Sequence, residues 1–168
     1  MIGARWIGFE SCAIFGLALV LLAASPVRGQ DADEREAVLG VTEAALAAIS
    51  TEDMSAVADL MLDESVTFAV TARDSLGEYQ TMSAADWRTM VPSADFVERG
   101  FRAEVHVAGP LASVWLPYDF YVDGKLSHCG VDAFTLVRTE AGWRIASLAF
   151  TRRQPPDCSL HPEGPPVD

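Results

Sequence analysis

The chain has 168 residues, 24 of them acidic and 12 basic, which gives a formal net charge of −12. Such a negative surface repels nucleic acid and anionic membranes, so the sequence excludes both as partners, and it disfavours an anionic ligand. The length suits one domain with a single hydrophobic core.

The first 29 residues have the pattern of a secretory signal peptide. An apolar run extends from Cys12 to Ala24, and Val27 and Gly29 occupy the small-residue positions before the expected cleavage point. Glu10 interrupts the apolar segment, which is therefore shorter than the roughly 20 residues of a membrane-spanning helix. An uncleaved anchor is the alternative. We expect a secreted or periplasmic protein that starts near residue 30 and is not inserted in a membrane after cleavage.

Helical patterns follow the leader. Residues 31–50 begin with acidic side chains, which a helix N-terminus favours, and continue with apolar residues at helical spacing. Residues 50–62 predict a second, shorter helix, with Ser50 and Asp53 as a capping box. Residues 64–72 are rich in branched and aromatic side chains and predict a strand. Ser83 and Asp86 then indicate the cap of a third short helix.

Strand patterns dominate the rest of the chain. Residues 101–108 and 111–122 predict two strands, and Asp123-Gly124 is the sequence of a type I′ hairpin turn. Residues 125–137 and 143–153 predict two more, separated by a turn at residues 139–142. Helices followed by a meander of strands indicate an α+β domain, with helices on one face of a curved antiparallel sheet.

A two-residue turn at Asp123-Gly124 fixes which side chains should face each other. It pairs Val122 with Lys125, and a regular ladder then places Asp119 opposite His128 and Trp115 opposite Asp132. Continued through the next turn, the ladder predicts one polar and aromatic face and one apolar face. The polar and aromatic face would hold Ser113, Trp115, Pro117, Asp119, Tyr121, His128, Gly130, Asp132, Phe134, Ser147, Ala149 and Thr151. Both faces need cover, and helices cover only one, so we expect a homodimer through the sheet.

Two cysteines remain after the leader. Cys129 lies in a predicted central strand and Cys158 in residues 154–168, a Pro-rich tail predicted to be irregular. An even pair in an oxidising compartment could form a disulfide that fixes the tail. A buried thiol at Cys129 with a free thiol at Cys158 is the alternative.

The element order resembles the nuclear transport factor 2-like superfamily, which includes SnoaL-like polyketide cyclases and ketosteroid isomerases. The resemblance covers residues from about 34 to 153, and its best marks are the Asp123-Gly124 turn and Trp143 at the start of the last strand. It implies a single domain over residues 30–153, in which a cone-shaped curved antiparallel sheet carries two to three N-terminal helices on its concave face. It also implies a cavity for a small molecule, and many members are dimers.

Asp132 is the sharpest site candidate. The resemblance lets it stand for the acid that ketosteroid isomerases carry on a late strand, although the first helix lacks the tyrosine that those enzymes use. On the residues alone, an Asp119-His128 pair could act as a general base, or it could be a cross-strand pair that stabilises the sheet. Wall residues of the cavity would be Trp115, Phe134, Tyr121, Trp87 and Phe96, unless they are plain core.

Two functions from different classes therefore stay open. One is a secreted binding domain for a small, mostly apolar, uncharged molecule. The other is an acid-base enzyme, a cyclase, isomerase or dehydratase, that uses Asp132 with the Asp119-His128 pair. No nucleophile elbow, phosphate-binding glycine loop or zinc spacing occurs in the sequence, so it indicates neither a cofactor nor a metal.

Overall fold

The computed structural model describes residues 27–73 and 76–166. Most of the predicted signal peptide of residues 1–29 lies outside these ranges, namely residues 1–26. The signal peptide therefore stays a prediction. Within them, every helix is too short or too polar to traverse a lipid bilayer.

Three helices form. They are α1, Val27–Ser50, α2, Met54–Asp59, and α3, Ala84–Thr89. Ser83 caps α3 in the predicted capping box with Asp86. The predicted Ser50-Asp53 box at α2 is wrong: Asp53 is itself the cap and accepts the amide of Ala56 at 2.9 Å. Ser50 is thereby free to bond elsewhere.

Seven strands form one mixed sheet. The strands are β1, Met61–Arg73, β2, Leu76–Ser83, β3, Phe96–Gly100, β4, Glu104–Ala108, β5, Leu111–Val122, β6, Lys125–Thr139, and β7, Gly142–Arg152. The order is β2-β1-β7-β6-β5-β3, and β4 also pairs with β5. All pairs are antiparallel except β1 with β7. The predicted α+β class is confirmed, whereas the expected purely antiparallel sheet contains this one parallel pair.

The helices cover one face of the sheet, which we call the inner face. Val38, Leu46 and Ile49 of α1 pack with Leu136 and Ile145 of the sheet in a continuous hydrophobic core. The opposite, outer face carries no helix of the described residues and exposes large apolar side chains. Burial of the inner face is the main source of stability for such an arrangement.

Two β-bulges overturn the predicted register. Val122 pairs with Lys125 as expected, but the ladder shifts by one residue at Ser127, so Phe120 and not Asp119 lies opposite His128. A second shift, at Ala146, has the same effect between β6 and β7. Asp119 instead pairs with Cys129, and Trp115 with Ala133. The predicted pairs Asp119-His128 and Trp115-Asp132 are therefore wrong, because one extra residue moves a side chain to the other face.

The strand predicted for residues 101–108 is interrupted. Arg102 has a φ of 53°, and the backbone there leaves the ladder between β3 and β4. Both short strands pair with β5, one at each of its ends. The break allows β3 to bring a further acidic residue, Glu98, onto the inner face.

Candidate functional site

A cavity of about 240 Å³ lies between the helices and the inner face. Helical side chains such as Leu46, Met54 and Trp87 form one wall, and strands β3, β5, β6 and β7 form the other. The lining is apolar apart from five residues: Glu98, Tyr118, His128, Asp132 and Arg152. An apolar cavity with a few convergent polar groups is the usual form of a small-molecule site.

Asp132 is the most deeply buried acid of this cavity. Only 2% of its surface is exposed, and its Oδ2 has no hydrogen-bond partner within the described residues. Burial, and then the nearby Glu98 carboxyl, raise the pKa of Asp132 well above its usual range. Burial therefore favours the neutral carboxylic acid, which is the form that can donate a hydrogen bond.

Glu98 is a second acid in the cavity, and the sequence reasoning did not identify it. The hydroxyl of Ser50 holds its backbone from both sides, since it accepts the Glu98 amide at 2.9 Å and donates to the Glu98 carbonyl at 3.3 Å. Burial raises the pKa of Glu98 to about 8, against the opposing effect of Arg152. A single acid between the apolar residues of "DFVERGF" was the only available signal.

Tyr118 lies near both acids. Its hydroxyl donates to the carbonyl of Thr151 at 2.8 Å. Burial, then the charges of Asp132 and Glu98, raise the pKa of Tyr118, so the phenol stays neutral. Gly130 makes room for this contact, because a Cβ atom there would come within 1.9 Å of the Thr151 carbonyl oxygen.

His128 lines the same cavity from β6. Its ring stacks on Phe120 with 4.8 Å between centroids and meets the Tyr118 ring edge-on at 5.8 Å. Nδ1 lies 3.1 Å from the hydroxyl of Ser127. Burial, and then the charge of Arg152, lower the pKa of His128 to about 4. The imidazole is therefore uncharged at neutral pH and accepts a proton only weakly.

Asp119 does not reach the cavity. It is fully buried on the outer side of β5, where Arg99 forms two hydrogen bonds to its carboxylate, at 3.0 and 2.7 Å. The backbone amide of His161 donates to the same carboxylate at 2.9 Å. The guanidinium of Arg99 also lies 5.3 Å from the ring centre of Tyr121. Asp119 is thus part of a structural ion pair and not a partner of His128.

The predicted wall residues divide into two groups. Phe134, Trp87 and Phe96 line the cavity, and the indole of Trp87 donates to the Thr67 hydroxyl at 2.9 Å. Tyr121 is buried on the outer side of β5, and Trp115 is 52% exposed on the outer face. Trp87 and Phe96 form part of the wall and leave the cavity open.

The C-terminal tail crosses the outer side. Cys129 and Cys158 are joined by a disulfide, and Arg153 exchanges two backbone hydrogen bonds with Cys129. The His161 ring contacts Phe101 edge-on at 5.7 Å. The tail was predicted to be irregular, and residues 154–166 form no helix or strand, but the tail is fixed at these points.

Metal ligation has no support in the described ranges, where no three His, Cys, Asp or Glu side chains come together as ligands. The cavity holds two acids and one histidine, but His128 and Asp132 lie four residues apart on β6. That spacing separates their Cα atoms by roughly 13 Å. A ligand that reaches both would span the cavity.

Solved structures with similar folds include the following three proteins. A nuclear transport factor 2-like protein with a cystatin-like fold from Novosphingobium aromaticivorans has a TM-score of 0.62 and 14% identity, over 77% of this chain and 88% of that one. A protein of unknown function from Mycobacterium tuberculosis has a TM-score of 0.63 and 15% identity, over 83% of each chain. A ketosteroid isomerase-like protein from Erwinia carotovora has a TM-score of 0.55 and 16% identity, over 73% of this chain and 98% of that one.

The chain has the nuclear transport factor 2-like fold. The resemblance inferred from the sequence is confirmed at this level, and Trp143, one of its marks, is buried, with its indole donating to Glu34 at 3.0 Å. No family sequence model and no curated protein matches the chain. One fold can serve many activities, so sequence identities of this size indicate a shared fold but not a shared chemistry.

Proposed function

We propose that this nuclear transport factor 2-like domain binds a small, mostly apolar molecule in its cavity and that Asp132 holds the molecule's polar group. The observation that carries the proposal is the buried carboxyl of Asp132, which lines the cavity with one oxygen unpartnered. A buried polar atom without a partner costs about 1–3 kcal/mol. A ligand that bonds to Asp132 removes that cost, whereas a purely structural acid would not need such a position.

The dimensions and lining restrict the ligand. A cavity of about 240 Å³ takes a molecule of one or two rings. Its apolar walls favour a hydrocarbon body, and its few polar groups select one or two heteroatoms. Large lipids and extended chains do not fit.

The test is a thermal-shift screen of the full chain against one- and two-ring compounds that each carry one carbonyl, hydroxyl or amine group. At least one compound should raise the melting temperature, since a ligand stabilises the state that it binds. The effect should fall in Asp132→Ala and persist in Glu43→Gln, which changes an exposed acid of α1. No stabilisation by any compound would contradict the proposal.

Acid-base catalysis is the second candidate, because the pKa of Asp132 is raised and that of His128 is lowered. Burial favours the protonated form of Asp132 and the unprotonated form of His128, which suits a proton donor to a carbonyl oxygen at one end of the ligand and a weak proton acceptor at the other. The reaction would be an isomerisation, cyclisation or dehydration. Exchange of the α-protons of a bound ketone into D₂O, followed by NMR, should then depend on both residues. Exchange at the buffer rate in the presence of a bound ketone would exclude this candidate.

The outer face supports a homodimer. Phe68, Ala149, Ala133 and Trp115 form one row across β1, β7, β6 and β5. The adjacent row consists of Val66, Ser147, Thr135 and Ser113. Neither row carries a charge on these four strands, although Glu104 of β4 adjoins Trp115 at the end of the first row. Phe68 and Trp115 are separated by three strand spacings, or roughly 14 Å, with two alanines between them. A two-fold axis would place each aromatic side chain over the alanines of the second copy, a self-complementary contact.

Secretion is supported by two independent features. The leader pattern is one, and the Cys129–Cys158 disulfide is the other, since disulfides persist in oxidising compartments. We propose a secreted or periplasmic location on this basis.

A further inference from the structure

The proposed function does not specify the charge of the ligand. The charged residues that line the cavity indicate what that charge is. We propose that the ligand is an organic amine, whose protonated nitrogen lies between Glu98 and Asp132 while its apolar body fills the rest of the cavity. The inference rests on the proposed function, because it names the class of ligand for the same site. It departs from the uncharged ligand expected from the sequence.

Two acids converge on this cavity from different strands. Glu98 comes from β3 and Asp132 from β6. The charges of both acids raise the pKa of Tyr118 on β5. Asp132 is 2% exposed, and its Oδ2 has no partner within the described residues. An ammonium group brings up to three donors and a positive charge. It donates to the unpartnered oxygen and places a positive charge beside both acids, whereas a neutral carbonyl compound can only accept a hydrogen bond from a protonated acid.

Few other charges face the two acids. The Tyr118 hydroxyl already donates to Thr151, and the His128 imidazole is uncharged because burial and Arg152 lower its pKa to about 4. Arg152 is the one cation in the lining, and its side chain is exposed beside the ring of Phe150. Helices α1, α2 and α3 add no titratable residue to the lining. A bound ammonium would therefore meet two acids against one solvated guanidinium.

The remaining walls suit an amine as well. The rings of Trp87, Phe96, Phe120 and Phe134 line the cavity. Aromatic faces attract cations, and they bury an apolar body equally well. The net charge of −12 also concentrates cations around the protein.

Binding of an ammonium should release a proton. Without ligand, burial raises the pKa of both acids, that of Glu98 to about 8, and so favours their protonated forms. A cation between them favours the ionised form, and the proton passes to the buffer. Affinity should therefore rise with pH below the pKa of the acid in the free protein, by up to about tenfold per pH unit for one proton released.

Calorimetric titration of the full chain tests the inference with a matched pair, 2-phenylethylamine and 2-phenylethanol, which differ in one polar group. Titrations at pH 6, 7 and 8, in two buffers of different ionisation enthalpy, measure affinity and proton release together. At pH 7 the amine should bind at least about tenfold more tightly than the alcohol, with release of close to one proton. Asp132→Asn should lower the affinity for the amine at least about tenfold and that for the alcohol by much less.

Controls keep the result interpretable. Glu43→Gln removes one exposed acid and should leave both affinities unchanged. If Asp132→Asn does not fold, Glu98→Gln carries the same test. Binding of the alcohol as tightly as the amine, or amine binding without proton release, would overturn the inference while the proposed function stands. If no compound of the wider screen binds, the proposed function fails with it.

Discussion

Asp132 is an acid in surroundings that disfavour its charge. The side chain contributes to folding only as long as it keeps its proton, because its pKa in the folded chain is raised by burial. The unfolded chain ionises near pH 4, so it binds fewer protons than the folded chain above that pH. The stability contributed by Asp132 is present below the unfolded pKa and falls as the pH rises towards the folded pKa.

Asp132→Asn should remove the fall in stability that Asp132 causes as the pH rises. The free energy of unfolding of the variant, relative to the natural chain, should increase between pH 5 and pH 8, by up to about 1.4 kcal/mol per pH unit for one proton. Urea unfolding at pH 5, 6.5 and 8 measures the difference, and Glu43→Gln is the control for an exposed acid. An equal difference at all three pH values would show that the folded pKa of Asp132 is ordinary.

Glu98 shows what sequence reasoning misses at the residue scale. Asp132 was identified because a strong hairpin turn precedes its strand, whereas Glu98 lies in a five-residue strand with no turn signal of its own. Its strand is recognisable only once the break at Arg102 is known, and the backbone there has a positive φ that no local pattern indicated.

Strand β6 shows the same limit at the scale of the element. The turn, both neighbouring strands and the alternation of its side chains were predicted from the sequence. The bulges at Ser127 and Ala146 were not, and together they turn β6 over relative to β5 and β7. His128, Asp132 and Phe134 therefore face the cavity, while Trp115 and Ala149 stay on the outer face. A bulge is decided by packing across the sheet, which a single sequence does not reveal.

Gly130→Ala tests how closely the end of β7 approaches β6 at Gly130. A Cβ atom at this position would meet the backbone carbonyl of Thr151 at 1.9 Å, and the backbone must shift to relieve it. We expect a loss of about 1–3 kcal/mol in the free energy of unfolding. Gly40→Ala is the matched control, because nothing lies within 4 Å of its added Cβ atom and alanine favours a helix. Chemical unfolding compares the two, and equal stability of both variants would contradict the close approach.

At the scale of the whole molecule, the outer face predicts the oligomeric state. Trp115→Glu places a charge in the rows of uncharged residues on β1, β7, β6 and β5, and we expect the natural chain to be a dimer and the variant to be a monomer. Light scattering on a size-exclusion column measures the mass. Val91→Glu, which changes an 86% exposed residue after α3, should leave the dimer intact. A monomeric natural chain, or a dimer that tolerates Trp115→Glu, would argue against this interface.

The described part of the C-terminal tail, residues 154–166, does not line the cavity, yet it supports the cavity wall from outside. Adjacent residues of a strand point to opposite faces, so a residue held from outside fixes its neighbour inside. Three residues attached to the tail or to its ion pair each adjoin a cavity residue. The pairs are Cys129 with His128, Arg99 with Glu98, and Arg153 with Arg152. A segment on the far side of the sheet thus helps to hold the cavity wall in place, and we expect that trimming this segment would loosen the cavity without touching its lining.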